Sequence, residues 1–170
     1  MTNKQKSMEL KPIGVIHANE EKMEFSIEVK EEYRAGLKEL EKYSHVHVIF
    51  WGNQTDTEEA RKTLIAEDLP FFYGKDAPAM GVFANRSQFR PNPILMSPTK
   101  ILDVDHEKGL VIVSYLDAFD QTPLLDLKPY IAMSDRILTA EYPPYLKHWP
   151  DCNEKAMEWW AQQMEQQEEE

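Results

Sequence analysis

The hydrophobic pattern of the chain has a period of two over several short stretches, which predicts a protein built mainly of β-strands. The clearest case is residues 24–30, where Phe25, Ile27 and Val29 alternate with polar side chains. Successive side chains of a strand point to opposite faces, so this pattern indicates one buried face and one face in water.

Similar segments recur at short spacing along the chain. Further strands are predicted at residues 10–17, 45–51, 80–84, 94–104 and 110–116. Pro98 interrupts one of them and predicts a bulge or an edge position, because proline cannot donate a ladder hydrogen bond. Residues 105–109 predict a hairpin turn, and residues 117–126 a structured loop. Six or seven strands with few helices favour a small, closed or nearly closed antiparallel β-barrel.

Three other segments predict short helices. Apolar side chains recur at helical spacing within residues 33–40. Residues 55–58 read Thr-Asp-Thr-Glu, which resembles a capping box and predicts a helix that continues to about residue 66. Asp151 predicts the start of a C-terminal helix. The adjacent Trp159 and Trp160 are expected to dock this helix onto the domain, and a dimer contact is the alternative.

The chain length of 170 residues fits one domain with a substantial core. We predict a flexible N-terminal tail at residues 1–9, a mainly β barrel domain at residues 10–150, and a C-terminal helix with an acidic tail at residues 151–170.

Composition narrows the possible functions. The net charge of −11 argues against a broad nucleic-acid footprint, because phosphate binding needs clustered Lys and Arg. Cys152 is the only cysteine, so no internal disulfide forms. Apolar runs are too short for a membrane span, and the polar N-terminal residues do not resemble a signal peptide. These features predict a cytoplasmic protein.

The segment 81–93, Gly-Val-Phe-Ala-Asn-Arg-Ser-Gln-Phe-Arg-Pro-Asn-Pro, carries the first candidate site. Its two prolines hold Arg90 and Asn92 in extended or turn geometry. Arg86 and Arg90 each offer a planar fork of donors, which suits a carboxylate or another anion. The segment therefore predicts an anion-binding loop. A rigid corner whose arginines pair with the chain's own carboxylates remains the alternative.

The segment 120–130, Asp-Gln-Thr-Pro-Leu-Leu-Asp-Leu-Lys-Pro-Tyr, carries the second candidate site. Asp126 and Lys128 lie two residues apart and face the same side of an extended segment. The alternative is an isolated surface ion pair, worth at most about 1 kcal/mol.

These segments resemble the signature motifs of the TsaA/TrmO (YaeB-like) family. Residues 81–95 are similar to GVFATRSPFRPNPIG, and residues 117–130 to DLLDGTPVLDIKPY. Residues 33–51 resemble a stretch of the form YxxGLxxLExFSHxxxxF, and residues 13–17 resemble the opening strand of the family. Together the motifs cover most of residues 10–138 in the family's order.

The resemblance implies a compact β-barrel that binds S-adenosylmethionine, usually as a homodimer. The best-known members methylate N6-threonylcarbamoyladenosine in the tRNA anticodon loop. By resemblance, the cofactor contacts fall on Asn53, Gln54, Arg86, Met96, Gln121, Thr122, Pro123 and Leu124. Four further residues are expected to support the ligand loops, namely Phe89, Arg90, Asn92 and Lys128.

S-adenosylmethionine is already an activated methyl donor, so the protein need only bind and align the reactants. Asp126 is the residue we nominate as a general base. Phe83 and Phe89 are candidate walls for the adenine, although core packing is the preferred interpretation of Phe83. His45 and His47 share one face of a strand, but no third ligand with suitable spacing accompanies them, so no metal site is predicted.

The chain departs from the family at three places. Leu95 and Gln121 each replace a glycine, and the Pro-Arg-Gln element that normally follows the first strand is absent. Two alternatives to tRNA methylation therefore stay open: a methyltransferase with a small non-tRNA substrate, and a module that binds S-adenosylmethionine without transferring its methyl group. A third alternative is a domain that has lost the site and serves in assembly.

Overall fold

A computed structural model describes residues 8–67 and 69–168, and antiparallel strands dominate it. In chain order the strands are β1 (Gly14–Asn19), β2 (Glu24–Val29), β3 (His45–Trp51), β4 (Ile65–Ala66), β5 (Met80–Gly81), β6 (Ile94–Asp105), β7 (Leu110–Val113) and β8 (Thr122–Pro129). The α-helices are α1 (Glu58–Lys62), α2 (Ala132–Asp135) and α3 (Ala156–Glu168). Most of the tail predicted at residues 1–9, and the last two residues of the acidic tail, lie outside the described residues.

Six strands close into a barrel in the order β1-β2-β7-β6-β3-β8, and every neighbouring pair is antiparallel. The predicted fold class, a mainly β antiparallel barrel with a few short helices and a C-terminal helix, is confirmed. Strands β4 and β5 form a separate two-stranded sheet. Within the described residues, no helix has the length and apolar character that crossing a bilayer requires.

The alternating pattern explains the barrel core. Phe25, Ile27 and Val29 of β2 are buried, as the sequence predicts, and the buried side chains of β3 are Val46, Val48 and Phe50. They form one hydrophobic cluster with Ile16, Leu37, Leu40, Val111, Val113, Leu116 and Leu124. Burying each large side chain contributes about 1.5–3 kcal/mol.

The chain divides into two compact units. One consists of Met1–Thr63 and Arg86–Arg136 and contains the barrel; the other consists of Leu64–Asn85 and Ile137–Glu170. The second unit has an aromatic cluster, in which Phe72 packs edge-on against Trp160 with ring centroids 4.6 Å apart. Its α3 helix thus packs within this second unit. The predicted domain boundaries stay predictions.

The predicted helix at residues 55–66 is shorter than expected. Thr57 is its N-cap, and the side-chain oxygen of Thr57 accepts a hydrogen bond from the Ala60 amide at 3.1 Å. The helix ends at Lys62, because Ile65 and Ala66 instead pair with β5.

Other segment boundaries also differ from the prediction: β1 begins at Gly14, β7 ends at Val113, and the helix predicted within residues 33–40 is a 3₁₀ helix at Glu31–Leu37. The strand predicted at residues 80–84 stops at Gly81, and Val82–Ala84 is a 3₁₀ turn. The loop predicted at residues 117–126 ends at Gln121, because β8 pairs with β1 from Thr122 onward. The C-terminal helix does not begin at Asp151, whose carboxylate pairs with Lys155 at 2.7 Å.

Pro98 lies in β6, a strand with a neighbour on each side in the closed barrel. It lies opposite His47 of β3, and the ladder between β6 and β7 begins at Ile101. This ladder has the register shift between Ile101 and Asp103, three residues beyond the proline.

Gln121 has a left-handed backbone, with φ of 63°, immediately before β8. Its amide donates to the Ile16 carbonyl at 2.8 Å, and its side-chain nitrogen lies 3.2 Å from His17 Nδ1. This backbone conformation costs a residue other than glycine about 1–2 kcal/mol. The family resemblance places a glycine here, so the turn is retained although its usual residue is not.

We expect Gly14→Ala to lower the free energy of unfolding by about 3 kcal/mol, because overpacking a close backbone approach forces strands to shift. A Cβ at Gly14 would lie 2.2 Å from the Glu28 carbonyl oxygen of the paired strand. Urea denaturation measures the change. Gly36→Ala is the matched control, since a Cβ there meets nothing within 4 Å. Equal denaturation midpoints for the two variants would contradict the close approach.

At residue 121 we expect Gln121→Gly to be more stable than Gln121→Ala by about 1 kcal/mol, because glycine adopts positive φ without a steric penalty. Thermal unfolding of both variants gives the difference. The control is the same pair of substitutions at Gln54, which lies in the Asn53–Thr55 3₁₀ turn and is not among the positive-φ residues. At this position Gln54→Ala should be more stable than Gln54→Gly. Finding alanine preferred at both positions would show that the turn at Gln121 imposes no strain.

Candidate functional site

The pairing of β3 brings the predicted ligand segments to one end of the barrel. β3 runs antiparallel to both β6 and β8, so its C-terminal end lies beside the first residues of each. Phe50 pairs with Leu95 on one side and with Leu124 on the other. The three segments that lead out of or into these strand ends therefore meet.

Each of these segments contributes predicted ligand residues. The Gly52 amide donates to the Pro93 carbonyl at 2.8 Å and joins the segment after β3 directly to the segment before β6. The predicted ligand residues that these segments carry are Asn53 and Gln54 after β3, Arg86, Phe89, Arg90 and Asn92 before β6, and Gln121, Thr122, Pro123 and Leu124 at the start of β8. Their contact with a ligand stays a prediction.

The loop before β6, residues 86–93, is braced by its own hydrogen bonds. Arg90 Nε donates to the Ser87 carbonyl at 2.7 Å, and the Phe89 amide donates to Ser87 Oγ at 3.2 Å. Arg86 is exposed, while the Arg90 side chain folds back onto the loop. The rigid-corner interpretation thus fits Arg90, and anion binding by Arg86 stays a prediction.

The turn before β8 is equally constrained. Thr122 is buried, and the carboxylate of Asp120 accepts a hydrogen bond from the Ala18 amide at 3.1 Å. That hydrogen bond lowers the pKa of Asp120, because it stabilises the ionised carboxylate. The peptide groups of residues 121–124 are consequently presented from a fixed backbone.

The outer face of the barrel carries the remaining candidates. Ile49 pairs with both Met96 and Asp126, so these three side chains form a row across three strands. Met96 is 45% exposed, which leaves an apolar surface beside the loops.

Asp126 is bonded through both carboxylate oxygens. Oδ2 pairs with Lys128 Nζ at 2.8 Å, and Oδ1 accepts from the Leu127 amide at 2.9 Å. The bond to Asp126 also raises the pKa of Lys128. The predicted alternative, an exposed ion pair, describes this geometry well. The role of Asp126 as a base stays a prediction.

Two further predictions concerned Phe83 and the histidines of β3. The preferred core position of Phe83 is wrong, because this side chain is 85% exposed. His47 lies on the strand face expected for it, and its Nε2 is 3.6 Å from an Asp135 oxygen. Across residues 8–67 and 69–168, no group of three or more His, Cys, Asp or Glu side chains is arranged to hold a metal ion.

Sequence reasoning missed one residue at this end of the barrel. Arg61 of α1 contacts Asp56 and the ring of Trp51. The only signal in the sequence was an acidic residue five positions before an arginine, and this spacing does not by itself predict contact within a helix.

The residues at this end suit S-adenosylmethionine chemically. The ligand has a carboxylate, for which Arg86 is exposed, and an adenine, for which Met96 and Phe89 offer exposed apolar surface. An open depression of about 470 Å³ at the opposite end is lined by Lys30, Glu31 and Glu32. Two acidic side chains and no aromatic wall make that depression a poor match for the same ligand.

Comparisons with known proteins show the family of this chain. The family model described as the tRNA-methyltransferase O N-terminal domain matches residues 7–136. A probable S-adenosyl-L-methionine-binding protein of Methanocaldococcus jannaschii is 35% identical over 119 residues, which are 70% of this chain and 89% of that protein. The tRNA (adenine(37)-N6)-methyltransferase of Escherichia coli is 39% identical over 103 residues, 59% of this chain and 42% of that enzyme.

Solved structures show the same fold. A crystal structure of TrmO superposes with a TM-score of 0.61 at 25% identity and covers 81% of this chain and 66% of the other. TrmO from Pseudomonas aeruginosa gives a TM-score of 0.60 at 24% identity, covering 79% of this chain and 61% of that one. The chain thus spans about two thirds of these longer proteins. On the family match and the shared barrel, this chain belongs to the tRNA-methyltransferase O N-terminal domain family.

Proposed function

We propose that the chain is an S-adenosylmethionine-dependent methyltransferase of the TrmO type, with N6-threonylcarbamoyladenosine in tRNA as its acceptor. The observation that carries the proposal is the convergence of three constrained segments beside the end of β3. Relatives named as an S-adenosyl-L-methionine-binding protein and as a tRNA methyltransferase support the ligand and the reaction.

In this proposal the protein binds the cofactor and aligns it with the acceptor, and it does not have to activate the methyl group. The cofactor supplies an electrophilic methyl group on a sulfonium. Arg86 pairs with the carboxylate of the ligand, and the backbone from Gln121 to Leu124 provides fixed polar groups. Asp126 accepts the proton that the acceptor nitrogen loses. Alignment accounts for most of the expected rate enhancement.

A homodimer is part of the same proposal. Exposed apolar side chains follow β6 on the outer face of the barrel: Ile94 at 39%, Met96 at 45% and Leu102 at 57%. A second copy of the chain would cover such a surface. We also propose a cytoplasmic location, where S-adenosylmethionine and tRNA are both present.

A second candidate function is binding of the cofactor without methyl transfer. The bonding of Asp126 favours it, because both oxygens of its carboxylate are already engaged, one by Lys128 and one by a peptide amide. If the chain is a methyltransferase, the alternative to tRNA is a small acceptor molecule. The net charge of −11 is consistent with this alternative.

Isothermal calorimetry with S-adenosylmethionine tests the binding site. We expect Arg86→Ala to weaken binding by about tenfold to a hundredfold, because a charge-assisted hydrogen bond contributes about 1.5–3 kcal/mol. Arg136→Ala is the charge-matched control, since Arg136 is exposed on the same unit and follows the far end of β8, which pairs with the start of β3. Equal affinities of the two variants would exclude Arg86 as the carboxylate ligand.

Transfer of labelled methyl groups to tRNA then separates the two candidate functions. Incorporation by the wild-type protein that falls with Arg86→Ala supports the methyltransferase. Cofactor binding without incorporation into tRNA or small-molecule extracts favours the binding module.

Sedimentation equilibrium checks the homodimer. We expect twice the chain mass for the wild-type protein and a shift toward the single-chain mass for Leu102→Glu, because a buried unpaired carboxylate opposes association. A single-chain mass for the wild-type protein at tens of micromolar would rule out the proposed dimer.

A further inference from the structure

We propose that Arg61 and Asp56 are positioning residues that hold the two ligand loops beside the end of β3 in register. The inference rests on the proposed function, because it concerns the same ligand site. Neither residue is among the predicted ligand contacts. What the pair offers is a connection between segments that reach the site from different parts of the sequence.

The first element of the connection is a hydrogen bond across the loop after β3. The indole nitrogen of Trp51 donates to Asp56 Oδ2 at 2.9 Å. Trp51 is the last residue of β3, so this bond closes the four residues that contain Asn53 and Gln54. The amide of Thr55 also donates to the Gly52 carbonyl at 3.3 Å. The backbone of both predicted contact residues is therefore fixed at its two ends.

The second element is a two-point contact from α1. Arg61 Nε donates to Asp56 Oδ1 at 2.5 Å, and Arg61 Nη2 donates to Oδ2 at 2.9 Å. The guanidinium also lies over the Trp51 ring, with its central carbon 5.3 Å from the ring centroid. A planar fork makes this combination possible, and a lysine ammonium does not reproduce it.

The third element reaches the arginine-bearing loop. Arg61 Nη1 lies 3.5 Å from the Pro91 carbonyl, and the Gly52 amide donates to the Pro93 carbonyl at 2.8 Å. Pro91 directly follows Arg90 in the sequence. One guanidinium thus contacts the loop that carries Arg86 while it holds the loop that carries Asn53.

Electrostatics assign Arg61 to support and not to ligand binding. The bond from Arg61, followed by the bond from Trp51, lowers the pKa of Asp56, so the carboxylate remains ionised at neutral pH. The Arg61 charge is consequently neutralised within the protein, and Arg86 remains the cation presented to an anion. If Arg61 and Asp56 were only an ordinary surface ion pair, removing it would leave the affinity for S-adenosylmethionine unchanged.

The test compares Arg61→Ala, Arg61→Lys and Asp56→Asn with Lys62→Ala. Lys62 is the matched control, because it pairs with Glu58 at 2.5 Å on the same helix as an exposed ion pair. We expect Arg61→Ala to raise the Kd for S-adenosylmethionine about tenfold, because loops that are no longer held must be ordered when the ligand binds. Arg61→Lys and Asp56→Asn should fall between Arg61→Ala and the wild type, and Lys62→Ala should match the wild type.

Amide hydrogen exchange of the ligand-free protein provides a readout that does not depend on binding. Arg61→Ala should speed exchange at residues 52–57 and 86–94, while the distant β6–β7 hairpin at residues 105–109 keeps its protection. Unchanged exchange at both loops would overturn the positioning role. If the wild-type protein binds S-adenosylmethionine and Arg61→Ala binds it with the same Kd, the positioning role is overturned as well. If the wild-type protein does not bind S-adenosylmethionine, the proposed function fails. The positioning role then fails with it, even if amide exchange at the two loops is faster in Arg61→Ala.

Discussion

The pairing of β3 with a strand on each side is the constraint on which the candidate site depends. Because both neighbours run antiparallel to β3, its C-terminal end lies beside the N-terminal ends of β6 and β8. A shift of one residue in either ladder would exchange the inner and outer faces and bury Met96 and Asp126 in the core. The buried alternation of Val46, Val48 and Phe50 makes such a shift costly, so the hydrophobic core also determines the site.

Closure of the barrel imposes the second constraint. β1 contacts both β2 and β8, and Gly14 allows the backbones of these strands to approach closely. Gln121 begins the last strand from a strained backbone and is held there by its bond to Ile16. Strain of this kind persists only where the surroundings enforce it. The turn therefore keeps its left-handed backbone even though glycine is absent.

Much of the fold could be predicted from the sequence, because alternation reports directly on burial in a barrel. The strand at residues 24–30 and the hairpin at residues 105–109 were predicted on local grounds and are confirmed. The start of β8 was not, because Thr122 and Pro123 have turn propensity and become a strand only through pairing with β1. Phe83 was misjudged for a related reason: hydrophobicity predicts burial on average, and a 3₁₀ turn directs this side chain outward.

The candidate site shows the same division between local and distant information. The motifs singled out Arg86 and residues 121–124 without any coordinates, because resemblance transfers positions directly. The contact between Arg61 and Pro91 joins residues thirty apart, and no local pattern predicts it. Of the three arginines in this part of the chain, Arg61 is neutralised by Asp56, and Arg90 donates to its own loop.

This distribution of charge bears on the acceptor. A chain with a net charge of −11 that exposes one arginine at its ligand loops has little to offer a long run of phosphates. Recognition of a tRNA would then have to rest on the modified nucleoside itself, through stacking on Phe89 and hydrogen bonds from the fixed backbone. A single extruded nucleoside needs only a small surface, so few side chains beyond Phe89 would have to take part.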